Sequence, residues 1–302
     1  MSETPVTAVR ALMTGAIDYA GLFPPAALAM PDAVERYDRY RRGPYAGLLG
    51  RFIIPVARLE EFVGAFTALA VHHAHDDATP WRLSVIAKAS DAATLAAFNA
   101  RYGSRVTIDA IEAPLMRQAD VPALGAFGAL AATYAVFVEV GSAADPTPLI
   151  ALLAHHRLRA KIRTGGVTAD AFPAAEAVAR FILACRDAHV PFKATAGLHH
   201  AWRADYPLTY EPGSARAPMY GFVNVLLASA AATGGAGADE LVGILSARNG
   251  VGVAIDVRGC VLPSGRAVPA ALIAAARTVG MASFGSCSFE EPVAELIERG
   301  IL

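Results

Sequence analysis

The stretch from Arg159 to His200 constrains this chain more than any other. It reads R-A-K-I-R-T-G-G-V, then an amphipathic run, then P-F-K-A-T-A-G-L-H-H. Two short, apolar, β-rich segments each carry one lysine, and each meets a glycine within four residues. Between them, over 172–189, Phe172, Val178, Phe181, Ile182 and Cys185 recur at helical spacing. Strand, helix and strand within about 40 residues make a βαβ unit, whose two strands run parallel. Alternation puts Lys161 and Arg163 on one face of the first strand, and Lys193 and Thr195 on one face of the second. Both faces of a parallel sheet are normally buried, so a mid-strand lysine needs a specific reason.

The same rhythm runs along the chain. Strands are predicted at 16–23, 48–55, 82–87, 105–111 and 134–140. Helices are predicted at 31–42, 59–71, 91–101, within 121–132 and at 148–156. After His200 the rhythm breaks. The Pro-, Tyr- and Arg-rich segment 201–220 reads as a long loop, and an apolar run at 221–231 leads into T-G-G-A-G-A and another helix. A helix at 268–279, a strand at 282–286 and a helix at 288–299 complete the pattern, with Ser288 and Glu291 at capping-box spacing. About eight alternations predict a single α/β domain, a (β/α)8 TIM barrel elaborated at about 201–265 between strands seven and eight. A doubly wound open sheet is the alternative. The 302 residues, 55% of them hydrophobic, are enough for one large core.

Charge and cysteine content narrow the partners. A net charge of −1 gives no electrostatic footprint for nucleic acid or an anionic membrane. The arginines Arg36, Arg39, Arg41 and Arg42 alternate with Glu35, Asp38 and tyrosines, as on a solvated helix face. Three cysteines, Cys185, Cys260 and Cys287, do not suggest a disulfide framework, and the N-terminal run lacks the apolar core of a signal peptide. No window approaches a membrane span. These features lead to the expectation of a cytoplasmic protein whose partner is a small-molecule substrate, with a homo-oligomer left open.

In a barrel, chemistry sits at the C-terminal ends of the strands. Lys161 precedes Thr164-Gly165-Gly166, and Lys193 precedes Gly197. Glycine beyond a strand end lets backbone amides approach an anion closely. A buried lysine beside a second cation has a lowered pKa, and a neutral amine attacks a carbonyl to form a Schiff base that serves as an electron sink. The structural alternative is that each lysine pairs with a carboxylate such as Glu139.

The run K-I-R-T-G-G-V-T-A-D-A at 161–171 resembles the Schiff-base lysine segment of the deoxyribose-phosphate aldolase family. F-K-A-T-A-G-L-H at 192–199 resembles that family's second lysine segment, and V-F-V-E-V-G at 136–141 its strand-five segment with a glutamate. F-G-S-C-S at 284–288 resembles the last-strand turn that holds substrate phosphate at a helix N-terminus. The resemblance implies a Schiff-base aldolase in which Lys161 is the nucleophile and Lys193 lowers its pKa, with no cofactor. It also implies a strand-four acid for proton transfer, for which Asp109 is the candidate, and a role for Glu139. Gly165, Gly166, Gly197, Gly285, Ser286 and Ser288 would meet the anionic part of the substrate, with Thr164 beside them. This chain departs from the family in placing Arg163 at a position the family fills with a small residue. It also places His199 and His200 where the family has a phosphate-facing arginine. Arg163 would then hold a carboxylate or a differently placed phosphate, so deoxyribose phosphate itself is not the expected substrate. The runs I-D-Y-A-G-L-F-P-P and S-F-G-S-C-S-F-E-E-P resemble segments of a divergent bacterial family to which no activity attaches.

Other constellations imply other chemistry. His199, His200 and Glu139 could bind a divalent metal and make the protein a metal-dependent lyase, isomerase or hydrolase. His72, His73 and His75 beside Asp76 and Asp77 read as solvated groups at a helix C-terminus. Cys287 sits in a Gly/Ser turn before a helix, a setting that would stabilise a thiolate. Asp18 either points into the barrel mouth or caps the turn at Pro24-Pro25. T-G-G-A-G-A lacks a nucleotide-loop pattern. A barrel that binds a metabolite or partner without turnover is the third reading.

Overall fold

The computed structural model describes residues 7–72, 79–115 and 118–302. A short helix α1 (Ala8–Met13) precedes β1 (Ile17–Tyr19), after which strand and helix alternate: α2 (Met30–Arg42), β2 (Leu49–Pro55), α3 (Leu59–His72), β3 (Trp81–Ile86), α4 (Ala92–Tyr102), β4 (Val106–Leu115), α5 (Leu124–Leu130), β5 (Ala135–Val140), α6 (Thr147–His155), β6 (Arg159–Arg163), α7 (Ala175–Asp187) and β7 (Phe192–Thr195). A hairpin of β8 (Ala204–Pro207) and β9 (Arg216–Met219) follows, then α8 (Phe222–Thr233) and α9 (Ala238–Ser246). Three short strands, β10 (Ala254–Ile255), β11 (Gly259–Val261) and β12 (Ala267–Pro269), lead through α10 (Ala270–Val279) to β13 (Met281–Ser286) and α11 (Glu290–Glu298).

Strands β1 to β7 and β13 close into one parallel ring, in which β13 lies between β7 and β1. The pairing of Ile17 with Phe284 closes it, so the fold is a (β/α)8 barrel and not an open sheet. Between barrel and helices, Tyr37 of α2 and Phe62 and Phe66 of α3 pack around Phe52 and Trp81 with ring centroids 4.9–6.1 Å apart. Burying one such ring contributes roughly 1.5–3 kcal/mol, which fixes these helices against the strands. α8 is buried along nearly its whole length, between α7, α9, α10 and the barrel, which accounts for the apolar run at 221–231.

Several expectations change. Segment 201–220 is not a plain loop. It holds the antiparallel pair β8–β9, in register from Ala204–Met219 to Pro207–Arg216. β4 runs to Leu115, four residues past its predicted end, with a register irregularity opposite Leu83 and Ser84. The last helix starts at Glu290 rather than Ser288. Half of the expected capping box forms, as the Glu291 amide donates to Ser288 Oγ at 3.2 Å. α3 ends at His72; His73, His75, Asp76 and Asp77 lie outside the described residues. Among the described residues no helix is long and apolar enough to cross a membrane.

Candidate active site

β6 and β7 are adjacent and parallel, and their register pairs Lys161 with Lys193. The two side chains therefore enter the barrel side by side, as strand alternation requires. Lys193 is fully buried. Its Nζ lies 2.6 Å from Asp18 Oδ2 and 2.7 Å from Glu112 Oε1, above the ring of Phe137 at 5.5 Å. Lys161 Nζ lies 3.1 Å from the other Glu112 oxygen and 3.0 Å from Glu139 Oε2. Glu139 is also the cross-strand neighbour of Lys161 on β5.

The acids have further donors. Ser84 Oγ donates to Glu112 Oε1 at 2.9 Å. Ser283 Oγ donates to Asp18 Oδ2 at 2.7 Å, and the Arg51 amide donates to Asp18 Oδ1 at 2.8 Å. Buried charges persist only when paired and hydrogen-bonded in this way.

Three carboxylates and two ammonium groups thus form one network. For Asp18, Glu112 and Lys193 burial disfavours the charged form, but the pairing outweighs it. Against its burial, Lys193 is held above its ordinary pKa by Asp18 and Glu112. Asp18, despite burial, is held low by Lys193 and Arg51. Glu112, also despite burial, is held low by Lys193 and Lys161. This corrects the role expected of Lys193, because Lys193 is the counter-ion of two acids rather than an uncompensated cation beside Lys161.

Lys161 lines a chamber of about 510 Å³ at the C-terminal mouth of the barrel, together with Glu112, Glu139, Arg163, His199 and Cys287. Lys193, sealed from solvent, does not line it. Gly166, Gly197 and Gly285 line the chamber. Arg163 is exposed at the rim and makes no ion pair with a described residue. A second cleft of about 630 Å³ adjoins the chamber under the β8–β9 hairpin, and Pro25, Gly166 and His199 line both.

Other predicted residues lie elsewhere. Asp109 is three residues before Glu112, roughly 10 Å back along the strand, on the far side from the mouth. There it is ion-paired with Arg51 at 2.5 Å and Arg82 at 2.6 Å, so it is not the strand-four acid of the cluster. Glu112 occupies that place. Thr164 Oγ1 donates to the Ala196 carbonyl at 2.8 Å and pins the two lysine loops together. Gly165 packs under the Phe172 ring, where a Cβ would lie 2.3 Å from a ring carbon. Its glycine is set by packing, not by an anion.

Ser286 and Ser288 do not line the chamber. Ser286 Oγ lies 3.3 Å from His199 Nδ1, and Ser288 Oγ accepts from the Glu291 amide in the first turn of α11. The first turn of α11 carries Glu290 and Glu291, which already complement the helix terminus. A phosphate there would meet like charge.

His199, His200 and Glu139 do not converge. His200 Nδ1 pairs with Glu295 Oε1 at 2.5 Å, and its ring stacks on Tyr206 at 3.4 Å. Among the described residues no group of three or more His, Cys, Asp or Glu is placed to hold a metal ion. His199 faces Ser286 and Cys287, and burial, with His200 next to it, lowers its pKa to about 4. Burial raises the Cys287 thiol, so the turn does not hold the thiolate its position suggested.

The site is thus built around one primary amine that borders a chamber and is flanked by two carboxylates, on a fold that commonly carries catalytic centres at this end. Compared with protein-family models, curated proteins and solved structures, the chain gives no match.

Proposed function

We propose that the protein is a Schiff-base aldolase or related carbon–carbon lyase, acting on a small carbonyl compound that carries an anionic group. The single observation that carries this reading is the placement of Lys161. It is the one primary amine among the described residues lining the chamber, and two carboxylates lie within 3.1 Å of it. The resemblance of 161–171 and 192–199 to the deoxyribose-phosphate aldolase segments supports the same reading.

The chemistry follows from the charge count. At rest Lys161 is paired with Glu112 and Glu139. An incoming carbonyl displaces Glu139, the less buried of the two acids, which takes a proton from the ammonium. The neutral amine then attacks the carbonyl carbon, Glu139 returns its proton to the carbinolamine hydroxyl, and water leaves to give an iminium. With three acids around two basic nitrogens, a cation at Lys161 remains compensated throughout. Lys193, paired with both, holds Glu112 and Asp18 in place. The iminium withdraws electrons as the neighbouring carbon–carbon bond breaks or forms. Arg163 at the rim supplies a forked donor that suits a carboxylate on the substrate.

A barrel that binds a metabolite without turnover is the second reading. The observation in its favour is that both ammonium groups are fully paired. Borohydride reduction in the presence of pyruvate, hydroxyacetone or short aldehydes separates the two. The aldolase reading expects an irreversible adduct on Lys161, located by peptide mass spectrometry and absent from Lys161→Met. No adduct on Lys161 with any of these compounds would sink it.

A further inference from the structure

The chamber and the outer cleft are joined by an unbroken chain of hydrogen-bonding side chains that the lysine network does not use. Tyr210, in the turn between β8 and β9, reaches across the mouth and donates to Glu291 Oε2 at 3.0 Å. The same hydroxyl lies 3.6 Å from Cys287 Sγ. Cys287 Sγ lies 3.5 Å from His199 Nδ1, which also lies 3.3 Å from Ser286 Oγ. Cys287 and His199 line the chamber with Lys161, whereas Tyr210 and Glu291 line the cleft. Each interior member can both give and accept a proton.

We propose that Glu291, Tyr210, Cys287 and His199 form a proton relay in which His199 exchanges a proton with the carbon next to the Lys161 imine. The proposal rests on the Schiff-base reading and adds the groups that would complete its proton transfers. In the deprotonating direction, a C–H bond beside the iminium carbon breaks. Its electron pair forms the enamine C=C bond, while the C=N π pair returns to nitrogen. The proton goes to His199 Nε2. The Nδ1 proton then passes to the Cys287 sulfur, the thiol proton to the Tyr210 oxygen, and the Tyr210 proton to Glu291, which loses it to solvent. Reprotonation of an enamine after bond cleavage runs the same steps backwards.

The neutral state of His199 fits this direction, because a bare ring nitrogen must be free to accept. The geometry also explains a chain of mixed residue types. Sulfur spans the gap between a histidine on the loop after β7 and a tyrosine on the hairpin, where an alanine would break the link.

The experiment uses the full chain with pyruvate and hydroxyacetone in deuterium oxide. Proton NMR follows exchange at the carbon beside the carbonyl, and parallel borohydride reduction follows imine formation on Lys161. In the wild type both should occur. His199→Gln should lower exchange about a hundredfold, the usual scale for one acid–base group. Tyr210→Phe and Cys287→Ala should lower it roughly tenfold while trapping on Lys161 continues, an effect that lost packing alone would not give. Cys287→Ser should retain exchange, since a hydroxyl keeps both proton roles. Tyr210 is more than half exposed, so Tyr210→Phe tests the relay without risk to the fold. Wild-type exchange in Tyr210→Phe and Cys287→Ala, with trapping intact, overturns the relay and leaves the aldolase standing. Absence of trapping in the wild type overturns the Schiff-base reading, and the relay with it.

Discussion

Lys161 and Lys193 share one carboxylate, Glu112 accepting from each of them on a separate oxygen at 3.1 and 2.7 Å. The sharing is unequal in consequence. Lys193 is sealed from solvent with Asp18 and Glu112, so its removal leaves two buried carboxylates short of a counter-ion. Breaking a buried pair by deleting one partner costs about 3–5 kcal/mol. Lys193→Met should therefore destabilise the protein by about that amount. Lys161→Met, at the chamber wall, should cost clearly less. Guanidinium denaturation at pH 7 reads the difference. Equal losses would mean that the two lysines are equally sealed, and would remove the distinction between a chamber amine and a supporting one.

The same network sets a pH profile. Asp18 and Glu112 bind protons more weakly in the folded state than in the unfolded chain. Their contribution is present above their unfolded pKa values and is lost as pH falls through the folded ones. For Glu112 that window runs from 4.5 down to about 2. Lys193 is shifted the other way. Its contribution is present below 10.5 and is lost as pH rises through its higher folded pKa. Stability should thus fall in acid and in strong alkali and stay level between them. Glu112→Gln should flatten the acid limb. Denaturation midpoints at a series of pH values check this, and an unchanged acid limb in that variant would place the titrating groups elsewhere.

Much of this site is legible in the sequence, and the gaps have physical causes. The βαβ crossover at 159–195 is local, so the pairing of Lys161 with Lys193 follows from alternation and parallel register. Glu139 follows the same way, one strand over. Glu112 is hidden because β4 continues past Ile111 and contains an irregularity, which shifts the inward-facing parity from Asp109 to Glu112. Asp18 meets Lys193 across 175 residues, through the closure of the ring by β13, and no local pattern encodes that contact. The β8–β9 strands are four residues each, too short for a period-2 signal among their prolines and tyrosines.

Arg163 offers a prediction about substrate choice. It shares a face with Lys161, two positions nearer the mouth, and carries no competing carboxylate partner among the described residues. A charge-assisted hydrogen bond is worth roughly 1.5–3 kcal/mol, or about 10- to 150-fold in binding. Arg163→Gln should weaken trapping of pyruvate on Lys161 by about that factor and barely change trapping of hydroxyacetone, which has no carboxylate. The measurement is adduct yield against concentration for each compound. Equal weakening of both would assign Arg163 to the shape of the mouth instead of to charge recognition.

The two lysine loops meet over one ring, and this makes the hairpin sensitive to a glycine on the other side of it. A Cβ at Gly165 would lie 2.3 Å from Phe172, and one at Gly197 would lie 3.0 Å from it on a backbone with φ of +72°. Phe172 in turn packs against Leu208, Ala217 and Met219 of the hairpin region. Gly165→Ala must push the ring toward the hairpin, and overpacking of this kind costs about 1–3 kcal/mol. The expected result is a lower melting temperature and faster proteolytic cutting in the 208–215 turn. Phe172→Leu should restore slow cutting in the Gly165→Ala background, since the smaller side chain makes room for the added methyl. If the double variant is cut as fast as Gly165→Ala alone, the strain runs through the backbone and not through Phe172.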